Sequence, residues 1–213
     1  MSLTLYLLRH GQTMYSEAGM FCGSGIDADL KSEGLEMAYA VAKGYKNMPW
    51  SAIYCSPLKR ARMTAQPLCD EVNMPMQLRD ELMEIGYGAW EGKTVEEVDR
   101  DFHDDYIRWQ ADPAWNPPTK GEPAIEIARR SLKVIEEIKE KYRDGNVLIV
   151  SHKATIRIII CGFLGIDVGR FRYRLSCPVS SMSVVEFTKS GPSLKLLADR
   201  SHLSEELRNL PGA

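Results

Sequence analysis

A chain of 213 residues is long enough to bury a core without disulfides or metals. Its 27 basic and 29 acidic residues leave a net charge of −2, which excludes a global field for nucleic acid or an anionic membrane, so any anion site must be built locally. Cys22, Cys55, Cys69, Cys161 and Cys177 are odd in number and lack metal-ligand spacing, which suits reduced thiols better than a disulfide framework. With no leader pattern and no uninterrupted apolar run of about 18 residues, the chain is expected to be soluble, cytoplasmic and free of membrane contact.

Leu3 to Leu8 is an apolar run that stops at Arg9-His10-Gly11, as a buried parallel strand feeding a loop does. Ser32-Glu33 with the spacing of Leu35, Ala38, Val41 and Ala42 predicts a helix, and Ala52 to Cys55 a second strand. Ser56-Pro57 opens a helix to about Val72, Ser56 as N-cap and Pro57 at the first position, which would aim its amides above the sheet. A short strand over Met76 to Leu78 precedes a loop from Leu82 to Gly92 that carries Glu84, Gly86, Tyr87, Gly88 and Trp90. Thr94 to Gln110 reads as one helix, Asp112 to Pro123 as a proline-rich loop, and Ala124 to Tyr142 as a long amphipathic helix. Asn146 to Val150 is a further buried strand, and it too ends in Ser151-His152. A helix through Ile156 to Phe163 comes next, with edge strands at Ser183 to Phe187 and Leu194 to Leu197. The expectation is one α/β domain over 1–213 with a mostly parallel sheet and a small helical cap insertion at about 93–123, a pocket covered by the region of Trp90, Trp109 and Trp115.

His10 and His152 directly succeed two strands, and ligands in open α/β sheets bind beyond the carboxyl ends of strands. Arg9 and Arg60 offer planar forks that match phosphate oxygens, and the dipole of the helix near Pro57 would add to them. His10 with one ring nitrogen fixed by a carbonyl presents the other as a nucleophile; a protonated His152 would stabilise the transferring oxygens. Glu84 is the candidate proton carrier for the leaving alkoxide and then for water. Asp27-Ala28-Asp29 lacks the preceding apolar strand of a magnesium-dependent phosphatase motif and reads as a loop. The acidic run Asp99 to Asp105 with His103 reads as a solvated helix face, and Gly19 to Gly25 lacks the Lys-Ser/Thr of a nucleotide loop. None of the cysteines has Arg six residues later, which argues against cysteine-based phosphatase chemistry.

Leu8-Arg9-His10-Gly11-Gln12-Thr13, Ser56 to Ala61 with Thr64-Ala65, Glu84-Ile85 with Gly88 to Gly92, and Ser151-His152 with Ile156-Arg157 resemble, in order, the motif blocks of the histidine phosphatase (phosphoglycerate mutase-like) superfamily. The resemblance implies a three-layer α/β/α sandwich, a nucleophile at His10, phosphate contacts at Arg9, Arg60 and His152, and the proton carrier at Glu84. It extends the substrate contacts to Thr13, Ser16, Gly23 and Lys153. It implies no cofactor and no metal, a small phosphorylated metabolite as partner, and a homodimer, as relatives often form. The short loop around Glu84 favours hydrolysis over mutase activity. The tail through Gly162, Leu164 to Asp167, Cys177, Val184 and His202-Leu203 is similar to bacterial metal-independent phosphoserine phosphatases, which would bring Tyr87 and His202 to the serine part of the substrate. Phosphoglycerate mutase-like, cobalamin-precursor and broad-range phosphatase activities are the alternatives within the enzyme class, and a non-catalytic or protein-directed binder of phosphorylated partners is the alternative outside it. Ser16 stands where the superfamily usually has Asn, and Lys153-Ala154 where it usually has Gly-Gly, with the Lys153 side chain reaching either the pocket or solvent.

Overall fold

The structure is a computed structural model that describes residues 2–212. Its strands are β1 (Leu3–Arg9), β2 (Trp50–Cys55), β3 (Met76–Leu78), β4 (Gly145–Ser151), β5 (Met182–Thr188) and β6 (Gly191–Asp199). The helices are α1 (Met14–Glu17), α2 (Ser32–Tyr45), α3 (Lys59–Val72), α4 (Val95–Asp101), α5 (His103–Ala111), α6 (Ala124–Lys141), α7 (Lys153–Leu164), α8 (Phe171–Arg174) and α9 (Glu205–Arg208). The strands form a six-stranded sheet ordered β3-β2-β4-β1-β5-β6, parallel over its first four members and antiparallel from β1 to β5 and from β5 to β6.

Alternation along the strands separates two cores. Leu5, Leu7, Tyr54, Val147 and Ile149 pack on α6 and α7 through Ile127, Val134, Ile138, Ile156 and Ile160. Leu8, Ile53, Cys55, Leu148 and Val150 face the other way, onto Val41 and Ala42 of α2 and Ala61, Ala65 and Leu68 of α3. Helices therefore cover both faces, which is why the central strands read as unbroken apolar runs rather than alternating ones. Each fully buried Leu, Ile or Val contributes roughly 1.5–3 kcal/mol against exposure, and two such layers hold the strand ends rigid. All five cysteines are unpaired, Cys22 half-buried and the rest buried. Among the described residues no helix is long and apolar enough to cross a membrane.

Strand register brings the two candidate histidines together. β1 and β4 are parallel neighbours with Arg9 opposite Ser151, so the next residues, His10 and His152, leave the sheet side by side at its carboxyl end.

Four expectations change. β5 lies inside the sheet between β1 and β6, because β1 takes an antiparallel partner on the side away from β4; only β6 is an edge on that flank. The predicted helix over Thr94 to Gln110 is two helices, broken at Phe102 (φ −139°, ψ 36°), whose side chain packs against the aromatic cluster of Trp90 and Trp109. The helix through Ile156 starts earlier, at Lys153, directly after His152. α3 begins at Lys59 rather than Pro57, with Leu58 at its N-cap and no side-chain cap of its own. The Ser56 hydroxyl is instead 2.7 Å from His152 Nε2, and the Lys59 amide donates to Asp27 Oδ1 at 2.7 Å. Asp27 thus supplies the anion at the α3 N-terminus, so that helix end is not held open for a ligand.

Candidate active site

A pocket of about 330 Å³ opens at the carboxyl end of β1, its walls including Arg9, His10, Arg60, Glu84, Lys153 and Arg157. Gly11 lets the chain turn away from His10 because its Cα lies so close to the Gly34 carbonyl that a methyl would overlap it; its amide donates to Thr64 Oγ1 at 2.9 Å. Thr64 in turn donates to the Arg60 carbonyl at 2.7 Å, tying the His10 loop to the first turn of α3.

The two imidazoles sit with ring centroids 5.2 Å apart. His10 Nδ1 is 2.7 Å from the Gly11 carbonyl, which can only accept, so Nδ1 carries the hydrogen and Nε2 keeps its lone pair. Burial, then Arg60 and Arg9, hold the His10 ring well below the usual histidine range, and the Gly11 carbonyl offsets only part of this. His152 is the opposite tautomer. Its Nδ1 faces Arg60 Nε at 3.2 Å, a donor, so Nδ1 accepts and Nε2–H points to Ser56 Oγ. Burial and then Arg60 push His152 well below the usual range as well. The expectation of a protonated His152 is therefore corrected: a second ring proton would face a guanidinium N–H. His152 is fully buried behind the pocket wall, as the partner that orients Arg60.

Both arginines are anchored by backbone carbonyls rather than by acids. Arg9 Nη1 donates to the carbonyls of Cys177 (2.6 Å) and Gly212 (2.9 Å), while its Nε is buried without a partner. Arg60 Nη1 donates to Ile26 (2.8 Å), and Nη2 to Gly23 (2.9 Å) and Cys22 (3.4 Å). Because carbonyls satisfy guanidinium donors without cancelling the charge, the site stays cationic. Glu84, 5% exposed, is held against the N-terminus of α7: Oε1 accepts from the amides of Ile85 (3.0 Å) and Thr155 (3.2 Å) and from Thr155 Oγ1 (3.3 Å), and Oε2 from the Ala154 amide (3.1 Å). It serves α7 as the anionic cap that His152, its N-cap residue, does not supply.

Of the substrate contacts expected, Thr13, Ser16, Tyr87 and Lys153 line the pocket. Ser16 spends its hydroxyl on a reciprocal cap with Thr13, accepting from the Thr13 amide at 2.9 Å and donating to the Thr13 carbonyl at 3.0 Å. The Lys153 side chain is drawn to the pocket, where burial and then Arg9 and Arg157 lower its ammonium to about 8. Gly23 lies behind the wall: its carbonyl holds Arg60 and its amide donates to Glu91 Oε2 at 2.7 Å. His202 is not brought to the pocket. Its ring packs edge-on to Tyr45 at 5.7 Å and its Cβ against Gly44, beside Leu203, which is buried with Met37 and Val179. The tryptophans also divide: Trp109 walls the pocket, Trp90 is buried behind it at 5.3 Å, and Trp115 is 66% exposed and covers nothing. Cys22 lines the pocket, but burial pushes its thiol up to about 11, so it stays protonated near neutrality.

A histidine with a free lone pair at the foot of a cationic pocket is equipped to take a phosphoryl group, and the chain's kinship agrees with that chemistry. The model of the histidine phosphatase superfamily (branch 1) matches residues 5–200. The chain belongs to this superfamily. It is a histidine phosphatase enzyme, similar to phosphoserine phosphatase 1 of Hydrogenobacter thermophilus (29% identity, covering 94% of each chain) and to glucosyl-3-phosphoglycerate phosphatase of Mycolicibacterium vanbaalenii (32% identity, 77% of this chain and 75% of that one). Its fold matches that of Entamoeba histolytica phosphoserine phosphatase, solved in complex with 3-phosphoglyceric acid, with TM-score 0.85 and 26% identity over 95% of this chain and all of the other.

Several residues of the pocket were given no role by sequence reading. Glu91 gathers the amides of Gly23, Gly25 (3.3 Å) and Tyr87 (3.1 Å), welding the two loops that flank the pocket. Phe21 meets Tyr87 at 4.9 Å and Trp109 at 5.8 Å to complete an aromatic wall. Arg157 and Arg172 also face the pocket. Arg157 is legible, lying four residues after Lys153 on one helix face; Arg172, in an irregular stretch, offers no signal.

Proposed function

We propose that the protein hydrolyses small phosphomonoesters, L-phosphoserine foremost, through a phosphohistidine at His10 without a metal. The observation that carries this reading is the His10 tautomer: Nδ1–H is fixed on the Gly11 carbonyl, and the Nε2 lone pair belongs to a ring kept neutral by burial and two guanidiniums. In the first step Glu84 takes up the proton of the bound phosphomonoester monoanion, His10 Nε2 bonds to phosphorus as the P–O bond to the alcohol breaks, and the departing oxygen takes that proton from Glu84. Water then attacks phosphorus and gives a proton to Glu84, the N–P bond breaks, and phosphate leaves with that proton, which returns Glu84 to its carboxylate form. Arg9 and Arg60 hold the equatorial oxygens, where charge must be balanced throughout. The 93–123 segment, which brings Val95 and Trp109 to the wall, serves as the cap over the substrate.

Phosphoserine is favoured by the kinship to phosphoserine phosphatase 1, which spans nearly the whole chain. The test is phosphate release with chelator present, across L-phosphoserine, 2- and 3-phosphoglycerate, sugar phosphates and p-nitrophenyl phosphate. Preference for phosphoserine and a ³²P-labelled intermediate absent from His10→Ala are expected. Turnover retained in His10→Ala would remove the nucleophile, and a strict magnesium requirement would overturn the metal-free route.

A further inference from the structure

The pocket wall carries five cationic side chains, Arg9, Arg60, Lys153, Arg157 and Arg172, against one carboxyl, Glu84, whose oxygens accept from the amides of Ile85 and of Ala154 and Thr155 on α7. These cations fall into two groups. Arg60 and Arg9 act on the His10 ring, Arg157 and Arg172 act on the Tyr87 hydroxyl, and Lys153 stands between the groups, acted on by Arg9 and then Arg157. The second group surrounds the pocket on the side of the aromatic wall. Lys153 and Arg157 are one turn apart on α7, and Arg172, on α8, sits over the Trp109 ring with its guanidinium carbon 3.7 Å from the centroid. Among the described residues Arg157 Nε is buried with no hydrogen-bond partner, and Arg172 Nη1 finds only the Tyr173 hydroxyl at 3.2 Å. A half-buried guanidinium without an acid is costly to keep unless a ligand brings the anion.

We propose that Lys153, Arg157 and Arg172 form a second anion subsite that recognises a carboxylate on the substrate, making this a phosphatase of phosphorylated small hydroxy acids. The subsite rests on the proposed reading of the pocket as a phosphomonoester site. Arg157 and Arg172 are then specificity-determining residues: their forks match a carboxylate, and the contact with the Trp109 ring holds the Arg172 guanidinium at the pocket wall. Phosphoserine and 3-phosphoglycerate both meet the requirement, whereas an uncharged alcohol phosphate brings no carboxylate to Arg157 and Arg172.

The experiment compares 3-phosphoglycerate with glycerol 3-phosphate, which differ in carboxylate against hydroxymethyl, on wild type, Arg157→Gln, Arg172→Gln and Arg157→Lys. Wild type is expected to favour 3-phosphoglycerate in kcat/KM by about tenfold to a hundredfold, the scale of one charge-assisted pair. Each Gln variant lowers that ratio at least fivefold, mainly through KM, and Arg157→Lys restores part of it. Thermal unfolding of each variant identifies any that is merely misfolded, and Arg172→Gln, on the half-buried side of the pocket, stands in if Arg157→Gln fails to fold. Equal turnover of both substrates by wild type, or a proportionate loss on both in the variants, overturns the subsite. If wild type hydrolyses neither, it is the hydrolytic reading that fails, and the subsite is judged by calorimetric binding of the same two compounds: tighter binding of 3-phosphoglycerate that the Gln variants lose upholds it, and equal binding overturns it.

Discussion

Replacing Glu84 with Gln tests whether its carboxylate is both a chemical group and a structural one. The two oxygens receive three amides and one hydroxyl, from Ile85, Ala154 and Thr155. Glutamine has one acceptor and one donor end. With its oxygen turned to Ile85 and Thr155, the more crowded side, its NH₂ faces the Ala154 amide, donor against donor. One buried amide loses its partner, at about 1–3 kcal/mol, and the charge at the α7 N-terminus is lost for roughly another 0.3–1 kcal/mol. The sum of about 1.3–4 kcal/mol corresponds to a Tm decrease of roughly 3–16 °C in a chain of this size. The catalytic effect separates by leaving group. Well below Tm, an alkyl phosphate such as phosphoserine should lose about 10²–10⁴ in kcat, because its alkoxide needs the proton, while p-nitrophenyl phosphate loses much less. Calorimetry and phosphate release read the two arms. A Tm within a degree of wild type would refute the capping argument, and equal losses on both substrates would refute proton transfer by Glu84.

Three further outcomes are expected from the geometry. Nitrogen-detected titration of the imidazoles should show His10 as the Nδ1–H tautomer and His152 as Nε2–H, both still neutral at about pH 6.5; since the unfolded rings take up protons there and the native ones do not, stability should fall as pH drops below about 6.5, and a native midpoint at or above that value refutes the neutral pair. Gly23→Ala would push a methyl into the Ile85 carbonyl and the Glu91 carboxyl, shifting the carbonyls that hold Arg60; a loss of about 1–3 kcal/mol in denaturant unfolding with a raised KM is expected, and an unchanged KM would show that Arg60 does not depend on this loop. Asp27→Ala removes the α3 cap and should lower stability by about 1 kcal/mol while the phosphoenzyme still forms; loss of the phosphoenzyme would mean that Asp27 serves the pocket directly.

The layers and the meeting of the two histidines were legible because they depend on local signals. Strands buried on both faces read as apolar runs, and two such runs ending in Arg9-His10 and Ser151-His152 need only parallel pairing to meet. What stayed hidden depends on partners far along the chain. Ser56 has the composition of an N-cap, and nothing local says that a histidine 96 residues away will take its hydroxyl. Glu84 reads as a loop carboxyl, yet its partners lie 70 and 71 residues later, at the start of a helix whose own N-cap residue provides no side-chain bond. His202 shows the converse error: a residue placed by resemblance alone goes where packing sends it, against Tyr45 on α2.

The same field does two jobs at this site, which explains its unusual composition. In the proposed mechanism a phosphate dianion needs cations nearby, and cations nearby add to burial in keeping an imidazole from protonating, so Arg60 and Arg9 would both attract the substrate and keep the His10 lone pair available. Acidic partners for the arginines would have cancelled both effects. Carbonyls from Cys22, Gly23, Ile26, Cys177 and Gly212 satisfy the donors and leave the charge in place. Because those carbonyls belong to loops remote in sequence, the field exists only when the chain is folded around the pocket. Lys153, Arg157 and Arg172 extend it along the pocket wall, where, in the proposed subsite, binding energy would discriminate among substrates without altering the chemistry at His10.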